Sequence, residues 1–156
     1  METEKKTRVT PKEDAVFWMD NRGVWHNKHG RFEHPKIINH FNRSIGKDNQ
    51  GYFVSQQIED MEEKIYFPYE DTAVFAVDVC MGSTLDLILN TGKRLVMDPH
   101  GLFIHKDTLF LQTPEHLIQF SPQAMSQLSK FMDETDAGLA LVHDETRVFI
   151  SEKTSL

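Results

Sequence analysis

The sequence predicts an α+β fold, a mostly antiparallel β-sheet with two main helices at about 35–45 and 122–133. Three observations predict it. Short apolar runs alternating with a two-residue period recur along most of the 156 residues, the period at which side chains of a strand share one face. Gly, Asn and Asp recur as turn residues between these short runs, as at 90–92 and 98–101, which favours hairpins. Two stretches with helical apolar spacing begin at Pro35 and Pro122, and proline suits the first turn of a helix because its missing N–H would be unpaired there anyway.

Residues 1–14 alternate charges without the apolar stretch of a signal peptide, and read as a flexible N-terminal tail. Residues 15–156 read as a single globular unit with two similar subdomains, about 15–80 and 81–151. Segments 17–20 and 24–26 are strands around a turn at Asn21, Arg22 and Gly23, where Asn and Gly tolerate positive φ. After a stop at 28–30, Ile37, Ile38, Phe41 and Ile45 fall on one face of the first helix, with Gly46 as its C-terminal cap. Beyond the turn 48–51, strands at 52–58 and 64–69 flank the acidic residues Glu59, Asp60, Glu62 and Glu63. In 73–81 the side chains of Ala73, Phe75, Val77, Val79 and Met81 share a face, and Gly82 and Ser83 turn the chain into Leu85, Leu87 and Leu89.

Further strands are expected at 94–97, 102–105, 109–112 and 117–120. Ser121 is the N-cap of the second helix, whose apolar stripe is Ala124, Met125, Leu128, Phe131 and Met132. Segments 138–143 and 147–151 close the chain as a hairpin. At a constant offset of 78, Asp20, Gly23, Trp25 and Phe32 repeat as Asp98, Gly101, Phe103 and Phe110, an echo of a strand and helix unit.

Hydrophobic residues are 39% and charged residues 26% of the chain, the balance of a soluble globular protein. The formal charge of −7 repels polyanions from most of the surface, although Lys28, Arg31, Lys36 and Arg43 form a local basic patch. Cys80 is the only cysteine, so no internal disulfide forms and a reducing compartment, the cytoplasm, is expected; its apolar neighbours suggest a buried, inert thiol. No apolar run reaches the roughly 20 residues of a membrane-spanning helix, and no membrane partner is expected.

The run 18–79 carries a resemblance. Asn21, Arg22, Gly23, Val24 and Trp25, then a helix, then Asp48, Asn49, Gln50, Gly51, Tyr52, Phe53 and Val54 follow one pattern. It is continued by Tyr69, Glu70, Asp71, Thr72, Ala73, Val74, Phe75, Ala76 and Val77, by 85–91 and by the turn at Asp98. This pattern resembles the bacterial family catalogued as domain of unknown function 1285 (DUF1285). The resemblance implies two related β-rich halves, each with a helix, and a role in signalling or as a binding scaffold. Two features depart from it: acidic residues replace a Lys-rich approach to Glu70 and Asp71, and a Trp, Ser and Gly near the C-terminus are absent around 138–149.

The candidate site residues are Trp25, His26, Phe32, Asp71, Asp78 and Arg94. Trp18 and Trp25 lie on paired strands with Phe17, Phe32 and Tyr52 near them in sequence; the set is core unless one face stays exposed, in which case it forms a platform for a partner. Asp71 either works with Glu70 or organises the turn before the strand by hydrogen bonds to backbone; adjacent residues in extended chain project oppositely, which favours the turn. Asp78 interrupts an apolar strand, so it faces solvent or is buried against a partner such as Arg94 or a histidine.

No zinc-type ligand spacing occurs among the eight histidines, so no metal and no cofactor are assigned. The sequence also lacks a phosphate loop, a nucleophile elbow and a Cys–His pair at a recognisable spacing. The leading expectation is therefore a binding or scaffold module linked to signalling, for a protein or small-molecule ligand. One alternative is a metal-dependent hydrolase using His26 and His29 with Asp71 or Asp78. A second is nucleic-acid binding through the basic patch. Edge strands such as 109–112 offer a route to a homodimer.

Overall fold

A strand forms where the sequence reading expects a tail. In the computed structural model, which describes residues 6–156, β1 (Lys6–Thr10) runs parallel to β7 (Met61–Tyr66), and a 3-10 turn follows at Lys12–Asp14. The register sets Thr7 beside Glu62 and Arg8 beside Glu63, so a basic, β-branched segment lies along an acidic one. Residues 1–5 of the expected tail lie outside the described residues.

The chain divides into two compact units with the boundary between Ala73 and Val74. In the first, β2 (Phe17–Met19), β3 (Trp25–Asn27) and β4 (Gly30–Arg31) form a small antiparallel sheet. Then comes α1 (Pro35–Arg43), followed by β5 (Ile45–Asp48) and β6 (Gly51–Ile58), which join β7 and β1 in a sheet of order β1-β7-β6-β5.

The second unit opens with β8 (Val74–Met81), β9 (Leu85–Leu89) and β10 (Arg94–Val96), and a 3-10 turn at Pro99–Gly101 leads to β11 (Leu102–His105), β12 (Thr108–Gln112) and β13 (Leu117–Phe120). After α2 (Pro122–Ser129) the meander β14 (Met132–Thr135), β15 (Gly138–His143) and β16 (Thr146–Phe149) is followed by β17 (Ser151–Glu152). The large sheet has the order β10-β9-β8-β13-β12-β11-β17. Only β1–β7, β8–β13 and β11–β17 are parallel among the described pairs, so the fold is α+β and mostly antiparallel.

Both helices stop earlier than their apolar spacing suggests, because strand pairing takes over. Ile45 pairs with Val54 in β6, and Met132 pairs with Leu141 in β15. Gly46 is therefore a strand residue opposite Phe53 and not a helix cap; an added Cβ there would lie 2.6 Å from the Phe53 ring. Ser121 does cap α2, its Oγ accepting the Ala124 N–H at 3.1 Å. Segment 109–112 is no edge: β12 lies between β11 and β13, and β10 and β17 are the outer strands. Cys80 is half-buried rather than buried.

The echo at offset 78 has matching hydrogen bonds. The Asp20 and Asp98 carboxylates accept the N–H two residues on, from Arg22 and His100, and their carbonyls accept from Gly23 and Gly101. Trp25 O then accepts from Phe32 N, as Phe103 pairs with Phe110. Past the helices the two patterns stay in step at 87 residues apart. Ser55 N donates to Ser44 O, and Val142 N to Phe131 O. Gly51 and Gly138 open the second strand of each meander with φ of 120° and 123°, a conformation that favours glycine.

A Gly46→Ala variant is expected to lose about 1–3 kcal/mol of stability, because its Cβ would press on the buried Phe53 ring. Gly82→Ala, where a Cβ meets nothing within 4 Å, is expected to stay within about 0.5 kcal/mol of the parent. Urea denaturation midpoints of the two variants measure the difference.

Candidate functional site

Strand alternation decides which aromatic side chain of the first unit meets solvent. The register pairs Met19 with Trp25, Trp18 with His26, and His26 with Arg31. Phe17, Met19 and Trp25 therefore share the inner face, and Trp18, His26 and Arg31 form a row on the outer one. Trp25 is 1% exposed and Trp18 40%. The expected Trp25 platform is thus a core residue, and Trp18 takes the exposed position.

Burial of Trp25 is complete and satisfied. Its indole N–H donates to Asn42 Oδ1 at 2.7 Å, and the rings of Phe17, Phe41 and Phe67 surround it at centroid distances of 5.7, 5.3 and 4.7 Å. Phe32 is half-buried and packs edge-on against Phe41 at 5.0 Å. These contacts attach α1 to the inner face of the small sheet.

On the outer face the Trp18 and His26 rings stack, with centroids 5.8 Å apart and planes within 7°. His26 Nε2 lies 2.7 Å from Asp20 Oδ2, while Asp20 Oδ1 accepts the Arg22 and Val24 N–H groups. Burial works to raise the Asp20 pKa. The hydrogen bond to His26 and the two backbone amides outweigh it and hold the carboxylate below its ordinary value. The imidazole is thereby fixed in orientation beneath the indole. Next to this row a hollow of about 340 Å³ is lined by Arg31, Phe32, His34 and Ile37, among others. Ile37 is 48% exposed, and α1 contains no buried residue.

The other expected site residues do not join this surface. Asp71 is exposed and organises no turn: it accepts no hydrogen bond from the described residues. Asp78 lies in the second unit beside a bulge between Ala76 and Asp78, and its partner is Gln127 of α2 rather than Arg94 or a histidine. Gln127 Nε2 donates to Asp78 Oδ1 at 2.7 Å, and Gln127 Oε1 accepts the Val79 N–H at 2.9 Å. The pair fastens α2 to β8. Arg94 bonds Asp86 at 2.7 Å, and that partnership follows the Thr84 hydroxyl in holding the Asp86 pKa low. His29 is exposed, and among the described residues no group of three His, Cys, Asp or Glu side chains is placed to hold a metal ion. Trp18 was legible as an aromatic strand residue; what the sequence hides is which alternate face becomes the core.

Two solved structures share this fold. The crystal structure of a DUF1285 family protein from Silicibacter pomeroyi DSS-3 matches over 91% of this chain and 81% of its own, with a TM-score of 0.62 and 13% identity. A DUF1285 family protein from Shewanella baltica OS155 matches over 76% of this chain and 94% of its own, with a TM-score of 0.54 and 14% identity. The chain therefore has a DUF1285-like fold, the fold its sequence resemblance implies; at such identities the likeness extends to fold alone. No family model matches the chain, and no curated protein matches it. No helix of the described residues is long and apolar enough to cross a membrane.

Three outcomes follow from this geometry. A Trp25→Phe variant, which keeps Trp18, is expected to show red-shifted emission that iodide quenches. Trp18→Phe is expected to show blue-shifted, protected emission. The Asp20→Asn variant tests the carboxylate: with a depressed folded pKa, Asp20 stabilises the fold above its ordinary value of 3.8 and loses that contribution as pH falls through the lower folded value. The thermal midpoints of parent and variant are therefore expected to differ near neutral pH and to converge below 3.8.

Proposed function

We propose that this protein is a binding module whose first unit docks an acidic segment of a protein partner on the outer row of Trp18, His26 and Arg31 and in the adjoining hollow. One observation carries the reading. Between residues 21 and 47 the chain holds Arg22, Lys28, Arg31, Lys36, Arg43 and Lys47 against Glu33 alone, all of them exposed, in a chain of formal charge −7. A basic island on an acidic protein selects a partner of opposite sign and speeds its encounter. The exposed Trp18, together with Ile37 and Phe32 in the hollow, supplies apolar anchorage for side chains between the partner's carboxylates. A module of this kind performs no chemistry of its own, which suits a scaffold or signalling role in a reducing, cytoplasmic setting.

A second reading, single-stranded nucleic acid, draws on the same surface. Its support is the stacked Trp18–His26 pair beside Arg31, since bases stack on exposed aromatic rings while phosphates meet arginine. The metal-dependent hydrolase reading draws less support, because Asp20 already engages His26 Nε2.

Fluorescence anisotropy separates these readings, using a labelled peptide rich in Glu, Asp and Leu, its Lys-for-acid counterpart, and a labelled oligothymidylate. The acidic peptide is expected to bind, and Arg31→Glu with Lys36→Glu, or Trp18→Ala, to weaken it about tenfold; the Lys peptide is expected not to bind. Equal affinity of parent and variants for the acidic peptide overturns the proposal. Binding of the oligonucleotide alone, lost in the same variants, replaces it with the nucleic-acid reading.

A further inference from the structure

We propose that the second unit holds a separate small-molecule site, a hollow of about 320 Å³ that takes an organic amine with an apolar body. Its floor is apolar: Leu85, Met97, Leu141 and Val148 line it, and each is 8% exposed or less. Its mouth carries Asp98, His100, His143 and Asp144, and no Lys or Arg lines it. Sites for small molecules combine these elements, an apolar bed with few polar groups, in volumes from roughly 300 Å³ upward.

The mouth has one carboxylate held in place, that of Asp98, and a second, that of Asp144, on an exposed turn. Asp98 Oδ1 receives both contacts from His100, the backbone N–H at 3.1 Å and Nδ1 at 3.0 Å, so Oδ2 takes no hydrogen bond from the described residues. The His100 amide, then its side chain, holds the Asp98 pKa below the ordinary value. Asp144 and Glu145 form a two-residue turn between β15 and β16 with φ of 52° and 68°. The Asp144 carboxylate likewise accepts no hydrogen bond from the described residues. The His143 ring is braced edge-on by Phe131 at 6.2 Å.

Charge selects the ligand class. Over 74–156 the chain has six Lys and Arg residues against eleven Asp and Glu, and the mouth adds two carboxylates without a fixed cation. An ammonium group between Asp98 and Asp144 would be doubly charge-assisted, with its hydrocarbon body on the Leu85–Leu141 floor. An anionic ligand meets the opposite field. This inference is independent of the first unit's reading.

The probe is 2-phenylethylamine, followed by amide chemical shifts in a ¹⁵N-labelled sample, with 2-phenylethanol and phenylacetate as the neutral and anionic counterparts. The amine is expected to shift amides of 83–85, 96–100 and 141–148 saturably, the alcohol more weakly, and phenylacetate not at all. Asp98→Asn with Asp144→Asn is expected to weaken the amine about tenfold, asparagine preserving the turn at Asp98 because its side-chain oxygen still accepts the His100 N–H. Thr146→Arg, an exposed position at the mouth, is expected to abolish binding without disturbing the fold. No saturable shift at millimolar amine, equal affinity for the alcohol, or unchanged affinity in both variants overturns the proposal.

Discussion

Burial of one indole governs the first unit. Trp25 brings a large apolar area into the core together with an N–H that costs about 1–3 kcal/mol if left unpaired. Asn42 on α1 meets that N–H, so the helix is attached to the sheet by a polar bond as well as by Phe17, Phe41 and Phe67. Because side chains alternate along a strand, committing Trp25 inward sends His26 outward, and pairing sends Trp18 and Arg31 with it. The outer row of Trp18, His26 and Arg31 is thus the reverse side of a packing decision.

The second unit solves the same geometric problem with less polarity. Phe103 stands where Trp25 does and stacks on Phe110 with centroids 5.5 Å apart, needing no hydrogen-bond partner. Its helix is fastened instead by Gln127, which bridges Asp78 and the Val79 amide. That bond explains an acid in an apolar strand without a catalytic role. Packing depth differs accordingly: α2 buries Ala124 and Leu128, while α1 buries none of its residues and leaves Ile37 in the open.

Local chemistry was legible in the sequence and distant pairing was not. The Ser121 cap before Pro122 and the strands Leu102–His105 and Leu117–Phe120 follow from nearest neighbours and appear where the pattern puts them. Helix ends are hidden because Ile45 and Met132 continue the helical spacing, yet pair with Val54 and Leu141. β1 is hidden for a similar reason: Lys6–Thr10 pairs with an acidic strand more than fifty residues away. The turns at Lys106–Asp107 and Asp144–Glu145 take positive φ without glycine or asparagine, so the usual hairpin signature is absent. Among the candidate site residues, Trp25 and His26 lie in the small sheet of the first unit and Phe32 directly follows its last strand. The hollow in the second unit draws on three separated stretches and has no local signature.

The step from 78 to 87 in the matching hydrogen bonds has a consequence for the width of the second unit's sheet. Nine additional residues enter between Phe110 and Pro122, in the stretch that holds Leu117–Phe120. That strand joins Val74–Met81 on one side and Thr108–Gln112 on the other, turning a small sheet into a seven-stranded one. The extra strand enters between two stretches that keep matching hydrogen bonds, so the second unit gains a wider sheet while its turn at Asp98 and its meander over 132–149 stay in step with their counterparts in the first unit.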